Sequence, residues 1–248
     1  MILLPYFIIL ISLTSQIDPS KTLIIYFSRA GENYSVGTVE KGNTEKMVEY
    51  ITKVTNIKTF RIIPKTAYPT NYQETLTRAN QEKNSNARPE IEDPLTNIDD
   101  YDTILLGYPI WHGNLPNIVM TQLEDLDFNG KTIYPFNTHE GSGAGSSISD
   151  IRNSAPNAEV KSGFAVKGSD AQNERANDSI NNWLKNTLNL EVKSLQDSST
   201  ETDTYRNKES ESDSDSDSDS VEKINNYSTR IKTIHISRYF LIFLLIFL

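Results

Sequence analysis

Thr103-Ile104-Leu105-Leu106-Gly107-Tyr108-Pro109-Ile110-Trp111-His112-Gly113 is the stretch on which the fold turns. Its first five residues form a short apolar run that stops in a loop bounded by glycine and proline, which is the pattern of a buried strand followed by a turn. The same alternation recurs on both sides. Upstream, Thr22 to Phe27 is an apolar, β-branched run ending at Ser28. Met47, Val48, Ile51 and Val54 then recur at helical spacing over Thr44 to Val54, with Asn43 or Thr44 as the expected N-cap. Ile57 to Ile63 reads as a second strand stopped by Pro64, and Tyr72 to Glu82 as a polar helix. Downstream, Pro116 to Leu126 reads as a helix with proline in its first turn. Lys131 to Phe136 reads as a fourth strand, Ser147 to Arg152 as a short helix and Val160 to Val166 as a fifth strand. Ala171 to Leu188 closes the domain as a helix, with Ile180, Trp183, Leu184 and Leu188 on one face. Strands alternating with helices require crossover connections. They therefore predict an α/β fold of three layers, a doubly wound five-stranded parallel sheet covered on both faces. In such sheets ligands sit beyond the carboxyl ends of the strands, so the loops that follow the strands are where chemistry is sought.

Three of those loops have suitable residues. Ser28-Arg29-Ala30-Gly31 follows the first strand, and Gly42-Asn43-Thr44 leads into the first helix. Hydroxyls, glycines and a helix N-terminus together make a phosphate cradle, although such turns are also common for geometry alone. There is no Gly-Lys-Ser/Thr and no GxGxxG, which disfavours a triphosphate-cleaving loop. Trp111, in the loop after the third strand, either packs on a flat ligand or acts as a lid over the local core. After the fourth strand, Asn137-Thr138-His139-Glu140-Gly141-Ser142-Gly143-Ala144-Gly145 combines a His-Glu pair with small residues that let a ligand approach the backbone.

In these three loops, taken in order, the chain resembles the flavodoxin family, most closely the bacterial-type branch with "GYPIW" and "THxGSG" signatures. The resemblance runs from Lys21 to about Leu190. It implies a strand order of 2-1-3-4-5 and non-covalent FMN as cofactor. Carried over residue by residue, Ser28, Arg29, Ala30, Asn43 and Thr44 hold the phosphate. Pro109, Ile110, Trp111, His112 and Gly113 flank the isoalloxazine ring, with Trp111 as the stacking candidate. Thr138, His139, Gly141, Ser142 and Gly143 line its other edge. The family's phosphate loop is uninterrupted, whereas here the 11 residues from Glu32 to Gly42 separate Gly31 from Asn43. Either Gly31 or Gly42 can therefore be the motif glycine, and the cradle survives only if the insertion loops out.

Composition bounds the rest. With no cysteine in 248 residues, thiolate metal sites, redox CxxC chemistry and disulfides are excluded, and no metal site is expected. The net charge of −9 argues against nucleic acid as a partner. Much of that charge lies in residues 191–220, which carry 3 basic and 10 acidic side chains. This region, with its Ser/Asp repeat from Ser212 to Ser220, reads as a disordered stalk over 191–230. The apolar run from Ile2 to Leu13 has the shape of a signal peptide (1–15). The last ten residues, Tyr239 to Leu248, make an apolar tail (231–248) that covers only about half of a ~30 Å hydrocarbon core. These ends suggest the secretory pathway and attachment at a membrane or cell surface, through a GPI-type signal or a short tail anchor.

The resemblance implies an FMN electron-transfer protein whose counterpart is a redox partner protein or a small-molecule acceptor. An FMN-dependent NAD(P)H:quinone-type oxidoreductase and a flavin-free binding module share the same fold. No residue set forms an evident nucleophilic or acid–base machine, so no catalytic residue is assigned. His112 and His139 serve either as proton donors to a quinone or as plain hydrogen-bond donors.

Overall fold

The computed structural model describes residues 16–193. The expected signal peptide, nearly all of the stalk and the whole apolar tail lie outside those residues. Among the described residues no helix is long and apolar enough to cross a membrane. A short 3-10 turn (Pro19–Lys21), capped by the Asp18 side chain, opens the domain. In chain order there follow β1 (Thr22–Tyr26), β2 (Gly31–Asn33), β3 (Gly37–Val39), α1 (Asn43–Thr55), β4 (Lys58–Arg61), β5 (Ile63–Pro64) and α2 (Tyr72–Asn84). The second half continues with β6 (Ile91–Glu92), β7 (Thr103–Pro109), α3 (Asn117–Glu124), β8 (Thr132–His139), α4 (Ser147–Ser154), β9 (Glu159–Val160), β10 (Phe164–Lys167), α5 (Gly168–Gln172) and α6 (Asn177–Asn186).

The main sheet runs β4-β1-β7-β8-β10, all parallel, with β9 also on β8. Counting only the five long-range strands, this is the order 2-1-3-4-5. β1 and the middle of β7 are buried without a break because helices cover both faces. On one face Met47, Val48 and Ile51 of α1 and Ile180, Trp183 and Leu184 of α6 pack on Ile24, Leu105 and Phe136. On the other face Ile118, Val119 and Leu123 of α3 and Ile151 of α4 pack on Ile25, Ile104, Leu106 and Ile133. Leu105 is fully buried at the sheet centre. Leu105→Ala is expected to cost about 3 kcal/mol through lost transfer energy plus a cavity. In a domain of this size that lowers Tm by roughly 6–12 °C, measurable by thermal unfolding followed by circular dichroism.

Four local expectations change in the structure. Strands β7 and β8 run on to Pro109 and His139, because Tyr108 pairs with Asn137 and Pro109 with Thr138. The signature residues therefore begin on strands and not in loops. The fifth strand is split. Lys161 N–H donates to Ile133 O at 2.9 Å, so the odd-numbered residues of β8 turn their backbone groups toward this strand. Pro135 therefore presents its missing N–H there, and pairing lapses until Phe164 meets Phe136. The closing helix also breaks in two, with Glu174 at φ 59°. Asn173 Nδ2 donates to Ser169 O at 2.7 Å and Arg175 Nε to Asp170 at 2.9 Å, side-chain bonds that compete with a continuous helix. Finally, the N-cap of α1 is Gly42, not Asn43 or Thr44, and its side-chain hydrogen bond comes from another segment. Past Leu190 the chain stays on the domain as far as Lys193, whose N–H donates to Val54 O at 3.0 Å.

Candidate functional site

The phosphate-loop residues meet at the end of β1. Ser28 Oγ accepts from Glu45 N–H at 3.0 Å and so caps α1 from outside the helix. That contact requires a glycine at 42. A Cβ there would lie 2.3 Å from Ser28 Oγ and 2.4 Å from Arg29 O. The insertion folds as a separate β2–β3 hairpin, which leaves Gly42, and not Gly31, beside Ser28. Thr44 Oγ1 and Thr138 Oγ1 share a buried hydrogen bond of 2.9 Å that ties α1 to the end of β8. Asn43 Oδ1 accepts from Gln172 Nε2 at 3.0 Å. The N–H groups of Asn43 and Thr44, in the first turn, have no intrahelical acceptor.

Arg29 is half-buried beside this helix end. Its guanidinium donates to the carbonyls of Ala30 and Pro69 at 3.0 Å, of Thr70 at 3.2 Å, and of Glu32. These bonds hold the hairpin against the loop before α2. Its Nε is buried without an acceptor, and among the described residues no carboxylate is paired with it. Burial penalises its charge and pulls it below the ordinary guanidinium value.

The opposite end of the cleft is built from two loops stitched together. Trp111 and Asn114 exchange backbone hydrogen bonds of 2.8 and 3.0 Å around His112 and Gly113, both at positive φ, which makes a tight two-residue turn. Ser146 N–H donates to Gly113 O at 2.9 Å. A Cβ on Gly145 would lie 1.9 Å from that same oxygen, so the two loops approach each other only with glycine there. Trp111 is half-buried and packs over the local core, as one of the two expectations for it had it. It meets Phe27 and Tyr68 edge-on, at 5.5 and 4.9 Å between centroids, and also lines the cleft. Tyr68 in turn donates to Glu82 at 2.8 Å and lies under the Arg78 guanidinium at 3.9 Å, so the tryptophan rests on a fixed support. Beneath the second loop, Tyr108 hydrogen-bonds Ser147 at 2.9 Å, and burial pushes its phenol up to about 12.

His112 Nε2 lies 3.0 Å from Leu76 O, so that ring nitrogen is engaged with α2. His139 Nδ1 accepts from Gly141 N–H at 2.8 Å, which places the proton of the neutral ring on Nε2. Burial lowers the His139 value below 6.5, opposed by Glu140 and aided by Lys167. Because the folded value lies below the unfolded one, the unfolded chain takes up this proton first. The contribution is therefore present above pH 6.5 and is lost as pH falls through the window below it. The Gly141 amide resonance is expected to titrate with a midpoint below 6.5. In a His139→Gln variant that titration should vanish.

A cleft of about 210 Å³ opens between these loops. Of the residues expected from the sequence, Arg29, Asn43, Pro109, Ile110, Trp111, His112, Gly113, Thr138, His139 and Ser142 line it. Ser28 and Thr44 lie beneath as buried supports, and Ala30, Gly141 and Gly143 stand outside the lining. Sequence reasoning missed Asn33 and Tyr34 of the hairpin and Tyr72, Thr75 and Leu76 of α2, and it noted Glu140 only as the partner of His139. A tyrosine inside a polar insertion was the available signal for the first group. Among the described residues no cluster of acidic and histidine side chains is arranged to hold a metal.

No curated protein matches the chain. Among solved structures it is similar to a candidate flavoprotein of Bacteroides eggerthii, at 26% identity over 69% of this chain and 99% of that one, with a TM-score of 0.54. A second candidate flavoprotein, from Bacteroides uniformis, matches at 25% identity over 67% and 98%, also with a TM-score of 0.54. The sequence model of the flavodoxin family matches residues 21–187. With the parallel sheet in the order 2-1-3-4-5 and the cleft at its carboxyl end, the chain belongs to the flavodoxin family.

Proposed function

We propose that the cleft binds FMN and that the protein is a flavodoxin-like carrier of electrons. The observation that supports this best is Arg29, a half-buried cation with a free buried Nε and no carboxylate partner among the described residues, beside the N-terminus of α1. Both features favour an anion, and a phosphate monoester satisfies both. The close approach at Gly42 brings Ser28 and the Arg29 backbone against the N-terminus of α1, beside which that phosphate would sit. On this reading Arg29 and Asn43 hold the phosphate with the first N–H groups of α1, while Ser28 and Thr44 fix the loops around it. Trp111 and its turn take one side of the planar ring system, and Thr138, His139 and Ser142 take the other. FMN supplies one- or two-electron transfer, and the protein sets how readily it occurs. His139 keeps its proton on Nε2 and offers a donor at the cleft wall. The counterpart is a redox protein or a small-molecule acceptor, and the apolar chain ends support display at a membrane in the secretory pathway.

Mixing the purified chain with FMN is expected to quench flavin fluorescence and shift the visible bands. Unchanged emission and spectrum would overturn the reading. Turnover of NAD(P)H with a quinone is expected to stay near background, and sustained turnover would favour the reductase of the same fold instead.

A further inference from the structure

Where β8 ends, two neighbouring side chains are each anchored by one backbone N–H. His139 Nδ1 accepts from Gly141 N–H at 2.8 Å, so Nε2 carries the proton of the neutral ring. Glu140 Oε1 accepts from Ser169 N–H at 3.1 Å, and among the described residues no cation pairs with this carboxylate. Both residues line the cleft. A fixed donor therefore stands beside a fixed acceptor before any ligand arrives, which lowers the ordering cost of binding.

Gly168 shows where the carboxylate stands. A Cβ on that residue would lie 2.0 Å from Asn43 Nδ2 and 2.7 Å from Glu140 Oε1, so the Glu140 carboxylate abuts the first residue of α1. On the FMN reading Asn43 belongs to the phosphate cradle and His139 to the ring edge, which sets Glu140 between the two. An ionised carboxylate only accepts hydrogen bonds and repels a second anion, so it suits neither the phosphate nor the carbonyl oxygens of the ring. A hydroxyl suits the pair, because it donates to the carboxylate and accepts from His139 Nε2–H. Resting on the FMN reading, we propose that Glu140 selects the ligand by its polyol chain, as the acceptor of the ribityl hydroxyls, with His139 as the neighbouring donor.

Fluorescence titrations of the full chain with FMN, riboflavin and lumiflavin test this; lumiflavin has the same ring system with a methyl group in place of the ribityl chain. Glu140→Ala is expected to weaken FMN and riboflavin each about tenfold or more, the loss that follows removal of a charged hydrogen-bond acceptor. Lumiflavin has no hydroxyl to lose, so it should change by less than about twofold. Glu140→Gln keeps an acceptor for Ser169 N–H but not the charge, and should give a smaller loss for FMN and riboflavin. FMN and riboflavin binding indifferent to Glu140→Ala would overturn this inference and leave the FMN reading intact. A lumiflavin loss as large as the riboflavin loss would also overturn it, because the substitution then acts on the ring or on the loop. Tighter FMN binding in Glu140→Gln with riboflavin unchanged would do the same, since the carboxylate then only repels the phosphate. Failure of the unmodified chain to bind FMN would overturn the FMN reading and this inference together.

Discussion

Replacing Gly42 by valine is expected to weaken FMN binding at least about 100-fold, which corresponds to about 2.7 kcal/mol. The new Cβ would enter a space already held by Ser28 Oγ at 2.3 Å and Arg29 O at 2.4 Å. Arg29 O is backbone, so no rotamer change relieves the overlap. Either the β1 end or the start of α1 must move, and each carries part of the proposed phosphate cradle. Overpacking of this kind also destabilises by roughly 1–3 kcal/mol. Flavin fluorescence titration, run beside a thermal melt showing that the variant remains folded, separates the two effects. Unchanged FMN affinity in a folded Gly42→Val protein would mean that the phosphate lies elsewhere.

Removing Arg29 is expected to have the second-largest effect. Arg29→Ala should lower FMN affinity by about 10–100-fold, the range for losing a charge-assisted hydrogen bond of about 1.5–3 kcal/mol. Riboflavin, which lacks the phosphate, should be affected by less than about threefold on the same reasoning. Arg29 also fastens the hairpin to the Pro69–Thr70 backbone. Arg29→Lys keeps the charge but not the planar fork, so it should recover FMN binding only in part. Equal losses for FMN and riboflavin would show that Arg29 acts only as a fastener.

The sheet order and both faces of the core were legible in the sequence because they rest on periodicity and on the family's three loops. Leu105, Ile104, Met47 and Trp183 pack where their spacing puts them. Trp111, His139 and Arg29 were likewise recognisable as cleft residues. What the sequence could not convey depends on contacts between distant segments. The cap on α1 comes from Ser28, 17 residues away from Glu45, so no local pattern around Asn43 reveals it. The break opposite Pro135 appears only once the register says which neighbour that residue faces. The hairpin read as spacing because its short strands have no apolar alternation. It is held by Arg29 and Glu32, whose partners lie near residue 70.

On the proposed reading this cleft recognises a flavin through its phosphate. Its most direct test is the ratio of affinities of the unmodified chain for FMN and riboflavin, measured by equilibrium fluorescence titration. A phosphate held by Arg29 and the α1 N-terminus predicts FMN binding at least about 100-fold tighter, from two or more charge-assisted hydrogen bonds. Equal affinity for the two flavins, or no binding of FMN, would contradict it.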